Sequence, residues 1–347
     1  MLKQHVEYLL QPGARIVTLI REMILAEPTR RWTRRTVWTL GIAALTVVSV
    51  LTSANAAQES QTPEMPAGEL VRVTVANEVA AANHPELHHM FRLRRQTPKG
   101  SQTHVYVETN QALAGLLIAI DDQPLTAEQQ KAEFDHLASL MNNPDQLRKK
   151  EAREKEDEDR TLRIVKALPD AFCYEYTGTE NSAASLGKSG DDLVKLKFKP
   201  NPAYNPPTHV EQVLRGMEGE LLIDTKIRRL ARIDGTLFQE VTFGWGILGH
   251  LNKGGHFRVQ QADLGLGDGA WGITEMNLNM TGKILMFKGL SIVSEEVLSD
   301  FQRMPEKLTF AQAVDILKAE EEKLAHSNHA SEPTEAKKAQ NNKAESN

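Results

Sequence analysis

The sequence predicts an α+β fold, a curved antiparallel sheet covered by helices, in a single domain over residues 67–324. Three observations lead there. Runs of alternating apolar and polar residues, separated by brief turn signals, recur on both sides of the middle of the chain. Between them, residues 126–168 form a long helical stretch, and residues 309–324 make an amphipathic helix at the end. With 40% hydrophobic and 25% charged residues in 347, the chain has enough apolar surface for a core and lies outside the disordered class.

Residues 1–56 read as a signal peptide with a long basic n-region. The run TVWTLGIAALTVVSVL at 36–51 follows Arg30, Arg31, Arg34 and Arg35 and precedes Ala54-Asn55-Ala56, a small-x-small cleavage site. Cleavage after Ala56 makes the protein a periplasmic resident. Without it, residues 36–51 anchor the same domain in the inner membrane, although the run is shorter than the ~20 residues that a span prefers. The arginine pairs leave general and twin-arginine export both open, and Met23 is an alternative start. Beyond Ala56 the chain carries 34 basic and 43 acidic side chains, a formal charge of −9, which argues against nucleic acid as a partner. Cys173 is the single cysteine, so neither an internal disulfide nor a multi-cysteine zinc site is available.

After a polar linker at 57–66, a helix is expected over 67–82, with Leu70, Val71, Val75 and Val79 near helical spacing. Pro85 ends it. Residues 87–94 alternate as a strand, and 103–108 and 113–120 complete a three-stranded meander with turns at Pro98–Ser101 and Asn110-Gln111. Thr126-Ala127-Glu128-Gln129 is a capping box opening the helical insertion at 126–168, which Pro144 must break or kink. Its middle, RKKEAREKEDEDR, reads as a solvated face with opposite charges four apart, as in Lys150 with Glu154. Strands are expected again at 172–176, 193–198, 220–224, 230–241, 255–264, 271–280 and 284–293, with turns at 224–226 and 281–283. Residues 325–347 form a polar tail too poor in apolar groups to bury.

Chemistry is sparse. In HPELHH, at 84–89, the strand alternation puts His88 and His89 on opposite faces, so no metal site is expected. Cys173 lies in an apolar strand and is expected to pack. No nucleophile turn, phosphate loop or desolvated acid pair is visible; the reading is a non-enzyme without cofactors. The unusual segment is 243–255, FGWGILGHLNKGG, an apolar glycine-rich loop between strands. It is either a plug in the mouth of the sheet or a movable rim for an apolar ligand.

Gly219–Asp224 (GELLID) and Arg229–Gly235 (RLARIDG), followed by several long strands, resemble the strand–turn–strand passage of periplasmic proteins with the outer-membrane lipoprotein carrier (LolA-like) fold. The mature chain also resembles uncharacterised exported acidobacterial proteins sharing the PNP, GMEG and FGWGILG stretches. The carrier resemblance implies an open barrel around helices with a concavity for acyl chains. The long charged insertion, the glycine-rich loop and the lack of a matched carrier-partner site depart from that pattern.

The expected cavity lining is Phe91, Leu93, Leu237, Val241, Trp271, Met276, Leu278, Met280 and Phe287, with Trp245 and Leu248 from the glycine-rich loop. The function expected is a periplasmic binding or carrier protein for an apolar ligand such as a lipid or a lipoprotein acyl chain. The alternative is an envelope interaction or regulatory protein that docks a partner through a sheet edge or the charged helix. Membrane contact is expected only through an uncleaved leader.

Overall fold

The computed structural model describes residues 65–82, 88–244, 248–267, 269–284 and 288–331. The leader, most of the linker and residues 332–347 therefore lie outside the described residues. Among the described residues four helices and thirteen strands follow in order: α1 (Ala67–Ala82), β1 (His88–Thr97), β2 (Gly100–Val107), β3 (Ala114–Ile120), β4 (Gln123–Pro124), α2 (Ala127–Met141), α3 (Pro144–Ala171), β5 (Phe172–Asn181), β6 (Asp192–Pro200), β7 (Met217–Asp224), β8 (Arg229–Leu237), β9 (Val241–Phe243), β10 (Gly249–Leu251), β11 (His256–Asp263), β12 (Trp271–Ile284), β13 (Lys288–Met304) and α4 (Phe310–Ser331). A 3-10 helix, Glu211–Gly216, precedes β7.

The helix starts follow from local chemistry. At α2 the Gln129 N–H donates to Thr126 Oγ1 (3.3 Å) and the Thr126 N–H to Gln129 Oε1 (2.8 Å), so the expected capping box is present. Pro144 does break the helical stretch: it is the first residue of α3, where its missing N–H costs nothing, and Asn143 Oδ1 caps Gln146 N. The helix then runs through Pro169 to Ala171, past the expected end at 168. Its terminal carbonyls find donors, since Tyr174 Oη bonds Leu168 O, and the side-chain amide and backbone N–H of Asn201 bond Asp170 O and Ala171 O. Thr309 and Gln312 form a second reciprocal cap at α4, which extends beyond the expected 324 to Ser331.

The strands form one antiparallel sheet in the order β4-β3-β2-β1-β13-β12-β11-β8-β7-β6-β5, with β10 pairing β12 and β9 pairing β10. Its ends, β4 and β5, do not meet, so the barrel is unclosed. Among the described residues β5 has no second partner strand, and this long edge is broken by a register shift at Tyr176/Gly178. The turn expected at 281–283 is instead inside β12, where Gly282 pairs with both Leu251 and Leu290; the β12–β13 connection at 285–287 lies outside the described residues.

Register assigns the faces. Residues directly opposite in adjacent strands share a side. One row across the sheet reads Tyr176, Leu196, Leu221, Ile233, Val259, Met276, Glu296, Arg95 and Gln102. The row one residue along, on the other side, reads Glu175, Lys197, Glu220, Asp234, Arg258, Asn277, Glu295 and Gln96. The first is apolar from β5 to β12 and the second polar throughout, so the sheet has one dry and one wet side over those strands. α1 and the C-terminal half of α3 cover the dry side, forming the main core with Phe198, Leu221, Ile223 and Phe257. On the opposite side of β1–β3, α2 and α4 pack Leu137, Val314 and Leu317 against Met90, Val105 and Leu116.

The two halves meet at β1 and β13, where Arg95 Nε donates to Glu296 Oε1 (2.7 Å) and the side chains are 2% and 1% exposed. Neither charge has water to fall back on. His104 is the second cross-strand neighbour of Leu93; burial, and then the Arg95 charge, pull its imidazole down to about 4, so it is neutral at pH 7. The β7–β8 turn carries Asp224, wholly buried, whose Oδ1 accepts the N–H groups of Lys226 (3.0 Å) and Ile227 (3.3 Å). Burial pushes its carboxyl above the usual range, with Asp191 adding to the rise against the two backbone bonds.

Two expected outcomes follow. Glu296→Leu alone costs ~3–5 kcal/mol by removing the carboxylate that Arg95 Nε holds in the interior, whereas Arg95→Met with Glu296→Leu recovers most of it; urea unfolding of the parent and both variants measures this, and equal loss in single and double variants refutes it. For Asp224 the folded pKa lies above the unfolded one, ~3.9, so the neutral form is favoured and stability falls as pH rises through the folded value. Asp224→Asn removes that loss while keeping Oδ1. Thermal melts therefore show its advantage over the parent growing from pH 4 to pH 7.

Candidate functional site

The dry side of the sheet and the helices over it do not close completely. Between them lies a cavity of about 350 Å³. β12 contributes Met276, Leu278 and Met280, β11 contributes Phe257 and Val259, and β8 and β6 contribute Ile233 and Phe198. The roof is Leu162, Ile164, Val165 and Leu168 of α3, and Val213 and Leu214 of the 3-10 helix close one side. The space is built from a missing side chain as well as from large ones. Gly235 faces Phe257 across β8 and β11, and a Cβ there would lie 2.3 Å from Cε1 of Phe257, so the ring occupies the place of a side chain on β8.

Polar groups are few in the wall: Glu78, Thr161 and Gln261. Glu78, from α1, is fully engaged, accepting from Arg229 Nε (2.9 Å) and a guanidinium nitrogen (3.1 Å) and from the Leu230 N–H (2.8 Å). The guanidinium of Arg229 also lies 5.7 Å from the ring centroid of Trp271, whose indole N–H donates to Leu230 O (3.1 Å). Thr161 Oγ1 donates to Asp157 O. The acid in the wall is thus neutralised by its own neighbours, and what the cavity offers a ligand is apolar contact.

Of the residues named from sequence, Met276, Leu278 and Met280 are in the lining. Leu237, Val241 and Leu248 belong to the surrounding core. Phe91 and Leu93 are elsewhere: with Tyr106 they form a separate cluster against Leu298 and Phe301. Trp271 packs with a small cluster of Leu186, Leu193, Leu222 and Ala231. Trp245 and Phe287 lie outside the described residues, as does the middle of the glycine-rich loop; its flanks are the short strands β9 and β10.

The roof was missed. Leu162, Val165 and Leu168 follow directly on the charged run at the spacing of one helix face, and the charge of that run masked them. The run is also less solvated than expected. Lys150 and Arg160 are buried, Lys150 Nζ holds Glu154 Oε1 (2.7 Å), and Glu154 Oε2 accepts from the Leu113 N–H (2.9 Å), tying α3 to the β2–β3 connection. Cys173 does not pack: it is exposed on edge strand β5, because Phe172 and Tyr174 take the inward positions of that strand. Among the described residues no group of three or more His, Cys, Asp or Glu side chains could hold a metal ion, and no helix is long and apolar enough to cross a membrane.

No family model matches the chain, and no curated protein sequence does. Solved structures similar to it include a DUF1329 family protein from Desulfovibrio piger, at 12% identity over 69% of this chain and 93% of that one, with a TM-score of 0.23. MucB in complex with MucA(peri) is similar at 8% identity over 68% and 98%, TM-score 0.19. The MucA/MucB complex of Pseudomonas aeruginosa is similar at 10% identity over 72% and 97%, TM-score 0.20. Likeness at this level carries no argument. The fold is established by the strand pairing itself.

Filling the cavity separates its occupancy from the fold. Met276→Trp is expected to lower the affinity for the apolar fluorophore N-phenyl-1-naphthylamine at least tenfold, with a stability change of about 1 kcal/mol or less because the added volume enters existing space. A fluorescence titration paired with a thermal melt reads both quantities.

Proposed function

We propose that this is an exported binding or carrier protein that takes an apolar ligand, such as an acyl chain of a lipid or lipoprotein, into the cavity between α3 and the dry side of the sheet. The observation that carries this reading is an apolar space of about 350 Å³ whose carboxylate, Glu78, is already neutralised by Arg229. A volume in this range fits a small ligand. Met276 and Met280 supply an adaptable wall that accepts chains of differing shape. The reading is non-enzymatic and needs no cofactor. It places the protein in the periplasm, released after Ala56 or held to the inner membrane by residues 36–51; intact-mass measurement of native protein distinguishes the two.

The decisive experiment is mass spectrometry of the organic extract of protein produced from Ala57 onward. A lipid is expected at close to one equivalent per chain, and Met276→Trp is expected to reduce it severalfold. Protein that carries no lipid and binds no N-phenyl-1-naphthylamine would sink the proposal.

A further inference from the structure

The cavity beneath α3 has two unlike ends. Along β12, Ile273 stands opposite Gln261 of β11, whereas Gly282, toward the far end of the strand, stands opposite Leu251 of β10. The end at Ile273 collects the polar wall. Glu78 holds the Leu230 N–H there, and Arg232, two positions along β8, pairs with Gln260, the neighbour of Gln261. Arg72 bonds Asp170 (3.0 Å) at one end of the α1–α3 pair, while Glu78 and Ala82 share the cavity wall with Thr161, so the two helices run antiparallel and Thr161 stands over this same end. Ala82 and Thr161 are exposed and Gln261 is half-buried, which makes this end the mouth. The opposite end is dry: Phe243 and Leu251 are each 1% exposed.

The mouth is polar but has no charge to spare. Glu78 and Arg229 close on each other through two guanidinium contacts. An anionic headgroup would set a second negative charge beside Glu78, and a cationic one would compete with Arg229 for it. Arg163 and Lys166 are exposed and lie outside the wall. What remains is neutral. Among the described residues the side-chain amide of Gln261 has no hydrogen-bond partner, and Thr161 Oγ1, donating to Asp157 O (3.1 Å), keeps its lone pairs to accept. An amide and a hydroxyl oxygen together suit hydroxyl groups, which donate and accept at once.

Resting on the reading of the cavity as an apolar-ligand site, we propose that its ligand is a single-chain amphiphile with an uncharged hydroxyl headgroup, of the monoacylglycerol class. The headgroup sits at Gln261 and Thr161, and the chain runs toward Phe243 and Leu251. A space of about 350 Å³ lies near the lower bound of ligand pockets, ~300–1,000 Å³, and takes one chain rather than several.

The test displaces N-phenyl-1-naphthylamine from protein produced from Ala57 onward, at pH 7, with three amphiphiles of equal chain length, each below its micellar concentration: monolauroylglycerol, laurate and dodecyltrimethylammonium. The monoacylglycerol is expected to act at a concentration about tenfold or more below either ion. Gln261→Leu should cut that preference about threefold or more, a ratio read within one variant and so insensitive to a general loss of binding. Glu78→Gln, whose amide oxygen still accepts the Leu230 N–H, releases the Arg229 fork; laurate should then gain about tenfold, in a variant whose fold is checked by a thermal melt. Failure to bind the probe at all removes the cavity reading itself. Probe binding with either ion as effective as the monoacylglycerol, or with the preference intact in Gln261→Leu, leaves the cavity reading standing and overturns this one.

Discussion

Strands β1 and β13 are paired although Arg95 and Glu296 stand 201 positions apart, and almost everything else in the molecule depends on that pairing. The first meander, β1 to β4, has α2 and α4 on one side; the strands from β5 to β12 have α1 and α3 on the other. Without the seam these are two half-covered sheets, each with additional open edges. The buried ion pair is not the reason that the seam is stable, since taking two charges out of water costs about as much as their attraction returns. What it does is fix register. A slip of one residue would separate the two buried charges, and every apolar residue of β1 would change sides.

Once the register is set, the cavity follows from a mismatch of volumes. Phe198, Phe257 and the methionines of β12 stand on a concave sheet, and α3 crosses above them with Leu162 to Leu168. The sheet is curved and the helix side chains do not follow that curve everywhere, so the two surfaces leave space between them. The main chain of β8 comes close to Phe257 at Gly235, drawing that ring toward the sheet and away from the helix. The cavity is therefore a property of the packing geometry, and no polar group had to be buried to make it.

The sequence announced the elements better than their arrangement. The alternation in 87–94 and the signature around Thr126 and Gln129 are local, and the structure has both where they were expected. Pro144 was equally legible, because a proline at the first position of a helix and a proline that breaks one look the same from upstream. The seam was not legible, since nothing in HHMFRLRRQT names β13 as its partner. The lining divided in the same manner. Met276, Leu278 and Met280 alternate along one strand and could be read together, whereas Phe91 and Leu93 have the same alternation on a strand that belongs to a different cluster. The apolar end of α3 was hidden by the charges ahead of it, and Cys173 was misjudged because the phase of β5 is set by Phe172 and Tyr174.

The open edge at β5 has a consequence for how the protein behaves in a crowded compartment. The outer edge of a ten-residue strand, without a second partner strand among the described residues, is a template on which a second copy could crystallise into an endless ribbon. The register shift at Tyr176/Gly178, with Gly178 at φ 142°, kinks that template midway. Two such edges brought together would match over half their length at most. A sheet left open at this edge is thereby hindered from assembling with itself.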